Sequence, residues 1–504
     1  MSTMSLIEFA HSCGRDFCAS LSREEQKSLG QFMTPPAIAT YMAKRAVAGV
    51  ERSHICVLEP SAGAGILAAA VVTELLDGPA VPEHIEVILY EVDERLLPLL
   101  NRLADRMRRA ASARGTRLTC SIRNIDFLLS KEAVQGHALV DILIANPPYL
   151  KLSKNDPRAL AHAYAVHGQP NLYGLFLAAC ARLIKEEGRY CFITPRSWMN
   201  GGYFSSVRRQ VLQWLHIDSL HLFESRKAHF FEDEILQEAV IIWATARSDY
   251  AQHSSIRVSR SQGVSDLAQA TVTAMPFGRI VGADESRLIA LHEQQENPFS
   301  NWTATLATYG LQVSTGPVVP FRAPAFLLQS GSSNSVPLLW MQHIQPMRVQ
   351  WPIQKKREHI RAVADSAHLL VPNQPMVVLR RFSPKEAVRR VTAAPYEGGL
   401  PGESLGIENH LNYIYRPGGV MSADEARGLS AFLSSSLVDD YFRAVAGSTQ
   451  VNATELRNLP LPPHAMIEKL GRTVKGLHAL IQIDAQVREV VTGEADPIPK
   501  LSAA

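Results

Sequence analysis

Asn146-Pro147-Pro148-Tyr149 follows directly on the apolar run Asp141-Ile142-Leu143-Ile144-Ala145. An amine conjugated to an aromatic ring is a poor nucleophile, because its lone pair is delocalised into the ring. Acceptors placed on its two N–H bonds draw that lone pair back out. The Asn146 side-chain oxygen and the carbonyl of Pro147, which has no N–H of its own to compete, could serve as that pair. The prolines stiffen the turn, and Tyr149 offers a ring on which a flat substrate can stack. The tetrapeptide therefore suits methyl transfer to a planar amine. Its plainer alternative is an ordinary strand stop.

These residues need a framework, and the upstream sequence has the pattern for one. Ile55 to Leu67 reads as a buried strand, a small-residue turn (Ser61-Ala62-Gly63-Ala64-Gly65) and the start of a helix running to about Leu76, as in the first βα unit of a Rossmann-like sheet. The turn lacks the third glycine of the dinucleotide fingerprint, which disfavours NAD. A second strand, His84 to Tyr90, ends in Glu91, whose carboxylate could hold ribose hydroxyls. A third, near Thr119 to Ile125, ends in Asp126-Phe127, which could accept from an adenine amine and cover the ring face. Four strands each ending in a polar or small-residue turn matter together, because ligands of open α/β sheets collect at the carboxyl ends of the strands.

The chain resembles the gamma-class DNA adenine-N6 methyltransferases. The resemblance is strong over residues 30 to 245 and continues weakly to about 465. Gly30-Gln31-Phe32-Met33-Thr34-Pro35-Pro36 matches the motif that precedes the glycine turn in that class. Asn171 to Leu177 and Gly188 to Pro195 match the helix and strand after its Asn-Pro-Pro-Tyr, and Phe230 to Glu238 matches the hairpin carrying a base-stacking aromatic. The resemblance implies an α/β fold: a Rossmann-like catalytic domain with a mostly parallel sheet and helices on both faces, then a mixed α+β target-recognition domain. It implies S-adenosyl-L-methionine as cofactor, with Thr34, Glu59, Ser61, Ala62 and Gly63 around its methionine portion, Glu91 on the ribose, and Asp126 with Phe127 at the adenine. Asn146, Pro147, Pro148 and Tyr149 would be catalytic. Phe230 would stack on the extruded base, with Phe231 nearly as good a candidate. Double-stranded DNA would bind between the domains, and no metal is needed.

With 504 residues, 46% apolar and 20% charged, the chain can bury a large core and form two or more domains. The expected division is an N-terminal helical arm at 1–29, the catalytic domain at 30–246, the target-recognition domain at 247–465, and a C-terminal helix and tail at 466–504. Within the second domain, 310–322 and 371–382 read as strands and 429–442 as a helix. Apolar residues at Ile467, Leu470, Val474, Leu477, Ile481 and Val487 suggest a packing helix. Six cysteines without a Cys-x-x-Cys pair read as reduced, buried groups. No apolar run of membrane-spanning length occurs, and a cytoplasmic monomer is expected.

The net charge of +3 is uninformative, but its distribution is not. Ten Lys or Arg against three acids lie between Arg348 and Arg390, beside Trp351 and Phe382, and read as a phosphate-tracking surface. A second basic run, from Arg102 to Arg117, reads as the solvent face of a helix. Among rival readings, protein-glutamine methyltransferases with the same tetrapeptide are shorter and lack a large second domain. Guanine-N2 methylation of RNA shares the amine logic. Cytosine-N4 enzymes usually carry serine at the position of Asn146. A catalytically idle DNA-binding protein is the remaining alternative. A separate restriction endonuclease is the expected functional counterpart, since no nuclease constellation precedes the methylase motifs; a lone regulatory methylase is equally compatible with the chain.

Overall fold

The computed structural model describes residues 4–22, 25, 33–200, 202–223, 239–246, 255–282, 285, 287–289, 299, 302–354, 357–383, 387–445, 451 and 453–493. The chain forms two compact units, Met1–Ala290 and Leu291–Ala504.

The first unit is built on one nine-stranded sheet. Its strands are β1 (His54–Glu59), β2 (His84–Tyr90), β3 (Arg117–Arg123), β4 (Val140–Ala145), β5 (Ile184–Pro195), β6 (His216–Phe223), β7 (Ala239–Thr245), β8 (Ser255–Ser261) and β9 (Val272–Pro276), in the order β3-β2-β1-β4-β5-β7-β6-β8-β9. Strands β1 to β5 run parallel, and β7 is antiparallel to both neighbours. The order reverses at β1/β4, so β1 and β4 diverge into crossovers on opposite sides and leave a crevice above their carboxyl ends. Buried on both faces, β1 and β4 are nearly continuous apolar runs.

Helix α1 (Leu6–Ser20) opens on a capping box between Ser5 and Glu8. Helix α2 (Pro36–Ala46) starts with proline in its first turn, where the missing N–H costs nothing. Pro35 is its N-cap residue, and the hydroxyl of the preceding Thr34 is engaged by Asn146 rather than by the helix. Helix α3 (Ile66–Asp77) is apolar on almost every side because α1, α2 and α4 (Leu97–Ser112) surround it on the sheet. Arg102, Arg108 and Arg109 occupy the solvent face of α4, opposite buried Leu100, Leu103 and Met107. Helix α5 (Leu172–Ala181) is buried throughout and packs on α6 (Ser205–Trp214) and β5.

The break expected after residue 246 falls inside this unit. Strand β8 pairs parallel to β6, and β9 pairs antiparallel to β8, so residues 255–276 lengthen the catalytic sheet. Their mixed polarity follows from an edge position, with β9 largely exposed. Helix α1 is likewise part of the unit: Gly14 lies against Ala64 and Met33, beside the glycine turn.

The second unit holds a four-stranded sheet, β10-β20-β17-β18, and a five-stranded sheet, β11-β15-β12-β19-β16. These strands are β10 (Gln312–Thr315), β11 (Leu327–Leu328), β12 (Ser335–Leu339), β15 (His359–Arg361), β16 (Leu370–Pro372), β17 (Met376–Arg380), β18 (Ala393–Tyr396), β19 (Ser404–Ile407) and β20 (Leu411–Tyr415), with β13 (Ile344–Gln345) and β14 (Arg348–Val349) forming a separate pair. The strand expected over 310–322 ends at Thr315. The one expected over 371–382 is two, β16 and β17, divided at 373–375 by a segment containing Pro375. The helix expected over 429–442 is also two, α7 (Ala423–Ser434) and α8 (Ser436–Val445). Ser435 between them is extended (φ −74°, ψ 159°), and its hydroxyl takes the Val438 N–H and donates to Phe432 O. Helix α7 crosses α9 (His464–Thr473) so closely that a Cβ on Gly428 would meet the Ile467 carbonyl at 1.9 Å. The apolar stripe after α9 is interrupted at Gly476 (φ 81°), so Ile481 on α10 (Leu480–Val487) is 75% exposed while Ile467, Leu470, Val474 and Val487 are buried.

Candidate active site

The crevice above β1 and β4 is a cavity of about 220 Å³. It is lined by Thr34, Glu59, Ser61, Ala62, Gly63, Glu91, Asp126, Phe127, Asn146 and Pro148. Ten of the residues singled out from sequence, spread over more than a hundred positions, thus share one space. Pro147 and Tyr149, the neighbours of lining residues Asn146 and Pro148, are not part of this lining, and Phe230 and Phe231 lie outside the described residues.

The turn after β1 is shaped by backbone. Ala62 N–H donates to Tyr90 O at 2.8 Å and Gly65 N–H to Ala62 O at 2.7 Å, folding the turn toward β2. Gly65 caps α3 in the left-handed region (φ 78°), and a Cβ there would meet Leu103 Cδ2 at 2.7 Å. Glu59, 1% exposed, accepts the Ala68 N–H at 2.9 Å, an orphan donor in the first turn of α3.

Glu91 is 4% exposed, and its two oxygens take the N–H groups of Gly63 (2.7 Å) and Asp93 (2.9 Å). Burial raises the pKa of both carboxyls, well above the ordinary range for Glu59, where Glu91 adds repulsion. A cation entering the cavity would relieve that penalty. Asp126 accepts the Leu128 N–H at 2.9 Å, and its other oxygen lies 3.7 Å from Arg158. Phe127 is wedged between Phe176 (stacked, 5.5 Å) and the edge of Tyr90 (5.1 Å), which fixes its ring in the wall.

At the end of β4, Asn146 is held at both ends of its carboxamide. Nδ2 donates to Thr34 Oγ1 at 3.1 Å, and Oδ1 accepts from the Tyr149 hydroxyl at 2.9 Å. Ser61 Oγ donates to Asn146 O at 3.3 Å, joining the glycine turn to this corner. The Tyr149 hydroxyl also lies 3.4 Å from Ile193 O, and its ring meets Tyr173 edge-on. Burial, then Tyr173, pushes the Tyr149 phenol well up, so it is a proton-bearing donor. Tyr173 is itself anchored at 2.7 Å to Ser197.

Sequence reasoning missed Arg158, which lines the cavity from the segment after the tetrapeptide and is gripped by Asp156 at 2.7 Å. Nothing in its local pattern marks it, because only the fold returns residues 157–161 to the Asp126 turn. Phe176 was inside a matched motif, but its contact with Phe127 has no sequence signal.

The sheet order, the glycine turn and the acidic strand ends over one crevice define a Rossmann-like methyltransferase. A family model described as Eco57I restriction-modification methylase matches residues 117–230. The type II methyltransferase M.PstI of Providencia stuartii is 33% identical over 470 residues, covering 90% of this chain and 91% of that protein. M.BsuBI of Bacillus subtilis is 30% identical over 497 residues, covering 94% and 95%. A nuclease-deletion mutant of the restriction-modification enzyme LlaGI in complex with a DNA substrate mimic shares the fold, with a TM-score of 0.51 at 9% identity; the match covers 90% of this chain and 47% of that one. The chain belongs to the type II methyltransferases of restriction-modification systems. It is a DNA methyltransferase, and S-adenosylmethionine is its cofactor. Among the described residues no helix is long and apolar enough to cross a membrane.

Proposed function

We propose that the enzyme methylates the N6 amine of adenine in duplex DNA and protects host DNA from a separate restriction endonuclease, acting as a cytoplasmic monomer. The observation that carries this reading is the placement of the Asn146 carboxamide in the same cavity as Glu91 and Asp126.

The cavity suits the cofactor on its own chemistry. Its buried acidic floor favours a ligand bearing ammonium and sulfonium charge, and Glu91 is held with both oxygens turned by backbone amides to receive hydroxyls. Thr34, Glu59, Ser61, Ala62 and Gly63 would hold the methionine portion, Glu91 the ribose, and Asp126 with Phe127 the adenine. S-adenosylmethionine supplies a methyl carbon activated by its sulfonium.

An amine in a base pair cannot reach that cavity, so the target base leaves the stack. Asn146 Oδ1 and Pro147 O accept its two N–H bonds and concentrate the lone pair on nitrogen. Tyr149 and Phe230 (or Phe231) are the candidate stacking rings, each such contact being worth roughly 1–3 kcal/mol. With the amine already aligned, positioning rather than a strong base supplies the rate. Nucleoside analysis of DNA from cells expressing the enzyme is expected to show N6-methyldeoxyadenosine. Finding N4-methyldeoxycytidine instead would overturn the base assignment. Asn146→Ala should lower methyl transfer by about 10²- to 10³-fold while cofactor binding persists.

A further inference from the structure

One end of the four-stranded sheet in the second unit gathers cations and exposed rings. The antiparallel register sets Thr315 opposite Asn412 and Arg380 opposite Leu411. The segments leaving β10 and β17 and the turn entering β20 therefore emerge side by side. Backbone bonds tie them together: Val318 N–H to Ile407 O (3.0 Å), Asn409 N–H to Val318 O (2.9 Å) and Arg381 N–H to His410 O (2.9 Å). A turn closed by Arg322 N–H on Val319 O at 2.9 Å carries Phe321 at its tip.

Phe321 is 78% exposed, more than any other large apolar side chain among the described residues. The Arg322 guanidinium lies 5.4 Å from its ring centre, Arg381 lies 5.7 Å from that of Phe382, and Phe382 is 5.0 Å from His410. The acid of this turn, Glu408, is 1% exposed and accepts from both the backbone N–H and Nδ1 of His410, so its carboxylate is turned inward rather than onto the surface. Arg322 makes no ion pair among the described residues. A phenyl left in water forgoes the stabilisation of burial. With the Arg322 guanidinium beside it, it has the makeup of an apolar contact to bases next to a phosphate contact.

Among the described residues, the basic stretch anticipated at 348–390 does not form one face. Arg389 pairs with Asp484, Arg380 donates to Ile344 O and Arg390 is buried, whereas Arg381 turns to this sheet end. We propose that the Phe321–Arg322, Arg381–Phe382 and His410 cluster is the surface of the second unit that docks on duplex DNA. Arg322 and Arg381 contact backbone phosphates, and Phe321 packs against bases. This rests on DNA being the substrate and adds to it the contacting residues and their separate roles.

Fluorescence anisotropy with a labelled duplex at several salt concentrations tests it on the full-length enzyme. Arg322→Ala should weaken binding roughly three- to tenfold regardless of sequence and reduce the slope of log K against log salt by about 0.9. Phe321→Ala should weaken binding roughly tenfold with the slope unchanged, since no charge is lost, and Phe321→Leu should retain most of the affinity. Unchanged melting temperatures would show that these solvent-facing substitutions leave the fold intact. Unaltered affinity and slope in both Ala variants would overturn the proposal and assign the patch to another partner. Nucleoside analysis on the same preparations separates the two readings: an enzyme that binds through this surface but methylates cytosine overturns only the adenine assignment.

Discussion

The Thr34 hydroxyl oxygen accepts from Asn146 Nδ2 at 3.1 Å, joining two residues 112 positions apart. The contact fixes which end of the carboxamide points where. With the nitrogen committed to Thr34, the oxygen is the atom held toward Tyr149 and available as an acceptor. In the proposed reaction, a flipped amide would present donors to the target amine and could not activate it.

Thr34→Val keeps the shape and removes the acceptor. Loss of one orienting hydrogen bond should lower kcat roughly tenfold, with a smaller change in cofactor affinity, and Thr34→Ser should restore most of the rate. Steady-state kinetics with cofactor titration checks this. A Val variant with wild-type kcat would show that Thr34 does not set the amide.

Tyr149→Phe retains the ring against Tyr173 but deletes the hydroxyl that meets Asn146 Oδ1 and Ile193 O. The expected loss in kcat is roughly three- to tenfold. Tyr149→Ala, which also removes the ring, should lose more. Equal losses would mean that the hydroxyl carries the whole effect and that the ring contributes nothing to base binding.

Gly65→Ala should destabilise the first unit and empty the cofactor site together. Its left-handed backbone (φ 78°) costs a residue with a Cβ about 1–2 kcal/mol, before the added carbon meets Leu103 at 2.7 Å and Leu100 at 3.0 Å. Thermal unfolding with and without cofactor reads both effects. A variant as stable as the wild type would contradict the geometry.

His221 is buried where β6 meets β8. Ser261 donates to Gly263 O, so it accepts from His221 Nε2, and Nδ1 is left to accept from Ser259, each at 2.9 Å. Burial, then Arg45, lowers its pKa to about 4 from 6.5. A depressed pKa means that the unfolded chain takes up the proton first. The stabilising contribution is present above pH 6.5 and is lost as the pH falls toward 4, amounting to roughly 3 kcal/mol. His221→Gln should flatten this limb in denaturant titrations between pH 7 and 4. An unchanged limb would place the acid sensitivity elsewhere.

Much of the cavity lining was legible because it sits at strand ends or in the glycine turn, where local pattern exposes it; Arg158 does not. β1, β2 and β4 start and end within one or two residues of the alternation and apolar runs that mark them. Residues 255–276 were not legible, because edge strands lose the apolar signature that central strands must carry. The second unit was read less well. Short antiparallel strands and a serine that ends one helix and caps the next at 435 depend on contacts with distant segments, so 429–442 looked continuous.

Local order in the chain determined the elements of the site: the proposed acceptor pair at Asn146-Pro147, a left-handed turn at Gly65, and acids at the ends of successive strands, all set by residue type within a few positions. Tertiary structure alone decided that Thr34 would hold Asn146, that Arg158 would reach Asp126, and that Phe321 would stand in water. Contacts such as the first two join residues tens to hundreds of positions apart, and their geometry follows from sheet order and register rather than from any local pattern.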